Sequence, residues 1–138
     1  MRVVLDSSVL IAAYISRAGV CAELLEDVLM DHELIVSEFI LDEVCRKLVE
    51  KFKFSSETVA ELRASILSSA QCVEPVDIPP DSCRDSADLP ILGSAVAGHA
   101  ELLITVDKDL LDLGQFSDIP IVKPGEFWKR CDAPIQPQ

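Results

Sequence analysis

Four carboxylates stand where a sheet and its helices would present them. Asp6 closes the apolar run at 3–5, and Asp107 follows the apolar stretch LLITV. Asp88 opens the helical stretch PILGSAVA, with Asp85 one turn earlier. Glu43 lies in EFILDEVCRKLVEKF, at the edge of that segment's apolar stripe. Carboxylates gathered in one place repel one another, so their pKa values rise or they hold a cation. Oxygen donors without His or Cys suit Mg²⁺ or Mn²⁺, not zinc. A cation held by a few carboxylates and by substrate phosphate oxygens supports phosphodiester hydrolysis, because it activates water and offsets charge in the transition state. A purely structural role stays open beside this one. Aspartate caps turns well, and 24 acidic residues among 138 place some near element ends by chance.

For these groups to meet, the chain must alternate strands and helices. Residues 3–5 read as a buried strand, and LIVS (34–37) as a second. Between them VCAELLEDVLM (20–30) spaces its apolar residues at helical intervals. Ser37 reads as the N-cap of a helix with Ile40, Leu41, Val44, Leu48 and Phe52 on one side. SSETVAELRASILSSA is another helix, with Val59, Leu62, Ile66 and Ala70 inward. Residues 72–76 read as a third strand, the Pro- and Asp-rich stretch EPVDIPPDSCRDSAD as a surface loop, LLIT (102–105) and IPIV (119–122) as further strands, and GEFWKR as a last helical turn. Such alternation implies a parallel sheet with helices on both faces, in which ligands bind beyond the carboxyl ends of the strands. With a switch point at the first strand, the strands ending in Asp6 and Asp107 become neighbours. One domain is expected over 1–130, with a disordered tail at 131–138.

Composition narrows the partners. The net charge of −12 argues against broad, non-specific binding to polyanions or membranes, yet leaves room for a local phosphate site built on a cation. The five cysteines form no CxxC pair and read as core thiols of a reducing compartment. Neither a long apolar run nor a signal-peptide pattern is seen, so a cytoplasmic protein without a membrane span is expected.

The stretches RVVLDSSVLIAA, SEFILDEV, CRDSADLPILGSAVAG, TVDKDLL and IPIVKPGEF occur in an order that resembles the PIN-domain proteins known as toxin components of toxin–antitoxin modules. The resemblance covers about residues 1–128. It implies an α/β fold of three layers, Rossmann-like, with a mainly parallel sheet of five strands. It also implies a Mg²⁺- or Mn²⁺-dependent ribonuclease acting on RNA, an antitoxin partner and a homodimer. The family's acidic positions fall on Asp6, Glu43, Asp88 and Asp107, with Asp85 and Asp109 as outer ligands or caps. Two departures accompany it. Where the family reads Asp-Thr-Asn this chain has Asp6-Ser7-Ser8, losing an amide expected to orient the carboxylates, a loss of the kind that weakens metal affinity by roughly 10–100-fold. Two places often acidic in relatives hold Ala87 and Leu89.

Further residues are open to two readings. Thr105 can hydrogen-bond near the metal or serve simply as a strand former. Arg84 and Lys108 flank the acids, and Arg46 and Lys47 lie on the helix of Glu43; each can contact RNA phosphates or stand as a solvated charge. Phe127 and Trp128 read as packing for the C-terminal end. A receiver domain is disfavoured because Ser7 replaces the second acid after the first strand, and a haloacid-dehalogenase-type phosphatase because Ser8 breaks Asp-x-Asp. A degenerate PIN-like module that binds RNA or protein without cleavage remains the alternative to the nuclease.

Overall fold

The structure, a computed structural model, describes residues 1–131. Its strands are β1 (Arg2–Leu5), β2 (Glu33–Val36), β3 (Gln71–Cys72), β4 (Leu102–Ile104), β5 (Gln115–Phe116) and β6 (Ile119–Val122). The helices are α1 (Ser7–Ile15), α2 (Val20–Asp31), α3 (Glu38–Glu50), α4 (Ser56–Ser69), α5 (Leu89–Ala97), α6 (Lys108–Leu111) and α7 (Glu126–Cys131). The sheet order is β3-β2-β1-β4-β6-β5, parallel throughout except for the β5–β6 pair. The chain moves outward from β1 through β2 to β3, then returns across to β4. Right-handed crossovers therefore place α1 to α4 on one face and α5 on the other. The reversal falls between β1 and β4, which makes their carboxyl ends the switch-point crevice.

The buried residues explain why these segments chose their elements. β1, β2 and β4 are aliphatic on both sides and buried almost completely, as parallel strands covered on two faces must be. In α3 the buried set Ile40, Leu41, Val44 and Leu48 forms one stripe, and Ser37 caps its start by accepting from Ile40 N at 3.3 Å. Ser94 of α5 donates to Ser37 Oγ at 2.8 Å, so the starts of α3 and the body of α5 are tied together beside the crevice.

Several expectations need correction. The sheet has six strands, not five: Ser117 and Asp118 both take positive φ (51° and 65°), which folds β5 back against β6 as a tight hairpin at the edge. The third strand is only Gln71–Cys72, not 72–76; proline at 75 cannot donate to a ladder, and the chain leaves the sheet after Val73. Phe52 lies beyond the end of α3 and is 38% exposed, because the chain turns at Lys53 (φ 62°). The segment after Asp6, to which no element was assigned, is α1. The tail expected at 131–138 begins inside α7 at Cys131, and the rest of it lies outside the described residues. No single helix among the described residues is long and apolar enough to cross a membrane.

Candidate metal centre

The register of β1 on β4 sets the site. Leu5 pairs with Ile104, and the ladder runs one step further through Asp6 N to Ile104 O at 2.9 Å. Asp6 and Thr105 therefore leave the sheet side by side, and both are buried. Thr105 Oγ1 donates to Asp6 Oδ2 at 2.7 Å and accepts from the backbone N–H of Asp107 at 2.9 Å. Ser8 donates to the same Asp6 oxygen at 3.1 Å. Ser7 Oγ lies 3.3 Å from Asp6 Oδ1 and donates to Glu43 Oε1, which fastens the glutamate of α3 to the start of α1. Asp6 holds the N-terminal position of α1 without a side-chain bond that caps it, so turn capping does not account for its carboxylate.

Asp6, Ser7, Ser8 and Glu43 line a cleft of about 260 Å³ together with Lys47, Asp85, Ala87, Asp88, Ile91 and Asp107. Thus Asp6, Glu43, Asp88 and Asp107 all line one space. Asp88 is the least satisfied of them. It is 5% exposed, and its Oδ2 has no hydrogen-bond partner among the described residues. Burial above all, then the charges of Asp107, Asp6 and Asp85, pushes its pKa up to about 7. Burial likewise raises Asp6, against the opposing hydrogen bonds from Thr105 and Ser8.

The secondary candidates divide. Asp109 stands closer to the centre than expected: Asp88, Asp107 and Asp109 each present an oxygen within 4.8 Å of the others. Asp107 Oδ1 accepts from Asp109 N at 3.0 Å, so the short helix α6 both caps itself and brings the second acid round. The two-residue spacing in TVDKD was the signal. Asp85 caps the turn before Asp88 by accepting from Ala87 N at 3.0 Å, while still lining the cleft. Of the basic candidates, Lys47 reaches the cleft and lies 3.6 Å from Glu43. Arg84 does not line the cleft; it lies 3.5 Å from Asp109 in a neighbouring opening. Arg46 and Lys108 pair with Glu50 and Asp112 on exposed helix surface and do not line the cleft. Ser7 was missed as a site residue; nothing in its type distinguishes it from Ser8 until α1 turns it toward Glu43. Phe127 and Trp128 pack the C-terminal end as expected, Phe127 edge-on to His32 and Trp128 donating to Asp27 at 2.7 Å.

The donor set fits a hard divalent cation. It is built of oxygens alone, it contains a buried carboxylate oxygen with no partner among the described residues, and two of its acids are held at raised pKa by burial and mutual repulsion. The structure is thus an α/β domain with an acidic cleft at the switch point of its parallel sheet. The chain matches the PIN domain family over residues 2–109, and it belongs to that family.

Solved structures of the same fold include VapBC2 from Rickettsia felis bound to a DNA fragment from its promoter, at 15% identity and a TM-score of 0.61 over 89% of this chain and 98% of that one. VapBC-1 from nontypeable Haemophilus influenzae is similar at 16% identity and a TM-score of 0.63, covering 91% and 99% of the two chains. FitAcB from Neisseria gonorrhoeae is similar at 13% identity and a TM-score of 0.54, covering 89% and 98%. At these identities the likeness concerns the fold. No curated protein matches the chain.

Proposed function

We propose that this protein is a Mg²⁺- or Mn²⁺-dependent endoribonuclease, a cytoplasmic toxin that acts as a homodimer and is neutralised by an antitoxin protein. The observation that carries the nuclease reading is that Asp88, whose buried Oδ2 has no partner among the described residues, lines one cleft with Asp6, Glu43 and Asp107. Membership of the PIN family supports it, and the toxin–antitoxin complexes among the structures of like fold support the antitoxin.

On this reading Asp6, Glu43, Asp88 and Asp107 hold the cation, with Asp109 next to them. When bound, the cation supplies an activated water and offsets negative charge on the phosphate being cut. The chain's own polar groups fix the acids. Thr105 and Ser8 hold one oxygen of Asp6, Ser7 joins Asp6 to Glu43, and the Asp109 amide holds Asp107. Lys47, which lines the cleft beside Glu43, and Arg84, paired to Asp109 outside it, are the cations that would meet RNA phosphates. The non-cleaving alternative rests on the missing amide at position 8 and on Ala87 and Leu89 in places often acidic in relatives. The Ser8 hydroxyl performs the orienting contact on Asp6, which favours a working site.

The test is cleavage of a labelled single-stranded RNA. The wild type should cut with Mn²⁺ and not after chelation, and Asp6→Asn, folded as judged by its melting curve, should not cut. Metal-independent cleavage, or full activity in Asp6→Asn, would overturn the assignment.

A further inference from the structure

A second opening lies along the same edge of the sheet, over the ends of β2 and β3. It measures about 870 Å³, within the range of about 300–1,000 Å³ that small-molecule sites occupy. Phe39, Val76, Leu89 and Pro90 supply its apolar walls. Phe39 and Val76 are 36% and 43% exposed, so both present apolar surface to a ligand in the groove. The groove lies beside the acidic cleft, and two residues that line it are near in sequence to residues that line the cleft. Leu89 follows Asp88, and Phe39 lies four residues, one helical turn, before Glu43 on α3. Residues so spaced on a helix stand about 5–6 Å apart at Cβ. The far wall is fixed in place: Val76 N donates to Gly93 O at 3.2 Å, and a Cβ on Gly93 would lie only 2.3 Å from Val76 O.

The chemistry of this groove selects among the parts of a nucleotide. Glu74 and Asp77 stand exposed at the rim, so a phosphate is repelled there. A nucleobase is not: it offers a flat face to Phe39 and N–H donors on its edge to the carboxylates. We propose that this groove is a nucleobase subsite, in which an unpaired base next to the cut phosphate stacks on Phe39 while its edge donates to Glu74 or Asp77. The inference rests on the nuclease reading and adds to it a place for the base beside the cut phosphate. It makes Phe39 a positioning residue, outside the metal-holding set.

Two measurements separate this subsite from the nuclease reading itself. In the Asp6→Asn background, binding of a fluorescent single-stranded oligoribonucleotide is followed by anisotropy for Phe39, Phe39→Ala and Phe39→Tyr, with oligomeric state recorded by light scattering. Phe39→Ala should weaken binding on the order of 10-fold, Phe39→Tyr should restore it, and an abasic residue at the site should copy the alanine loss. Bound oligonucleotide should also slow alkylation of Cys72, an exposed thiol in the groove. In the enzyme with Asp6 intact, Phe39→Ala should raise KM more than it lowers kcat. If RNA is cut with Mn²⁺ but Phe39→Ala binds and turns over RNA as the parent does, the subsite is overturned and the nuclease stands. If Phe39→Ala changes only the oligomeric state, the groove is an interface between copies, and the proposal is overturned in that way. If RNA is neither bound nor cut, both readings fall together.

Discussion

Thr105 donates its hydroxyl proton to Asp6 across the β1–β4 junction, 2.7 Å from oxygen to oxygen, and the same Thr105 oxygen accepts the backbone N–H of Asp107. One buried hydroxyl thus links the two strand-end acids. It stabilises the charged form of Asp6 against the burial that raises its pKa. The sheet register puts it there, because Leu5 pairs with Ile104 and the next residues on each strand follow in step.

Thr105→Val keeps the side-chain shape and removes this donor. It should weaken Mn²⁺ binding by roughly 10–100-fold, as losses of groups that orient ligands do, while Thr105→Ser should retain most of the affinity. Calorimetric titration with Mn²⁺ reads both. Equal affinity in the valine variant would reduce Thr105 to a strand former.

Ser8 acts on the other side of the same oxygen, so Ser8→Ala should also lower Mn²⁺ affinity, by less than Thr105→Val because its contact is longer, 3.1 Å against 2.7 Å. Ser8→Asn should match or exceed the wild type, since an amide can make the same contact. Tighter binding in Ser8→Ala than in the wild type would show that the hydroxyl does not orient Asp6.

Asp6→Asn, Glu43→Gln, Asp88→Asn and Asp107→Asn should each nearly abolish cleavage, and pairs of them should cost little more than one, because groups that share a cation act as a unit. Asp85→Asn should cost less than Asp88→Asn, since Asp85 is occupied in capping a turn. Asp109→Asn should fall between the two. Single-turnover rates on one RNA rank the series, and full activity in any two of the first four would sink the shared-cation account.

Much of this arrangement was legible in the sequence, for definite reasons. A carboxylate directly after an aliphatic run has few places to go but the carboxyl edge of a strand, which identified Asp6 and Asp107. The apolar stripe of α3 fixed the side on which Glu43 would lie. What stayed hidden has equally physical causes. Helix α1 buries Ser7, Val9, Leu10, Ile11 and Ala13 with no polar face, so no periodicity marks it. Strand β5 is two residues long and exists only because Ser117 and Asp118 adopt a left-handed turn. The rise of Asp109 into the acidic group depends on the tight turn of α6, and the Ser7–Glu43 contact on how α1 and α3 pack. Neither is written in spacing alone.

The raised pKa of Asp88 has a sign that pH can test. A carboxyl that titrates near 7 when folded and near 3.8 when unfolded binds more protons in the folded state between those values. Its contribution to stability is therefore favourable at low pH and declines as pH rises from about 4 to about 7. The metal-free protein should lose stability from this group over that interval, on the order of 1 kcal/mol once screening by water in the cleft is allowed for, or several degrees in midpoint. Asp88→Asn should flatten that part of the profile. A variant whose metal-free pH profile is as steep as the wild type's would mean that Asp88 is not the strained acid.

The claim that these carboxylates converge on one cation is tested most directly by comparing the melting of the wild type and Asp88→Asn at pH 7.5 without metal and with Mn²⁺. Without metal the variant should melt at or above the wild type, since it removes repulsion and the buried oxygen that lacks a partner. With Mn²⁺ the order should reverse, because a ligand bound only by the folded state stabilises it by RT ln(1 + [L]/Kd), about 1.4 kcal/mol at ten times Kd, and the variant binds weakly. On a domain of this size that gain is worth several degrees. If Asp88→Asn instead loses several degrees without metal and then responds to Mn²⁺ as the wild type does, the Asp88 carboxylate is structural and the four acids do not converge on one cation.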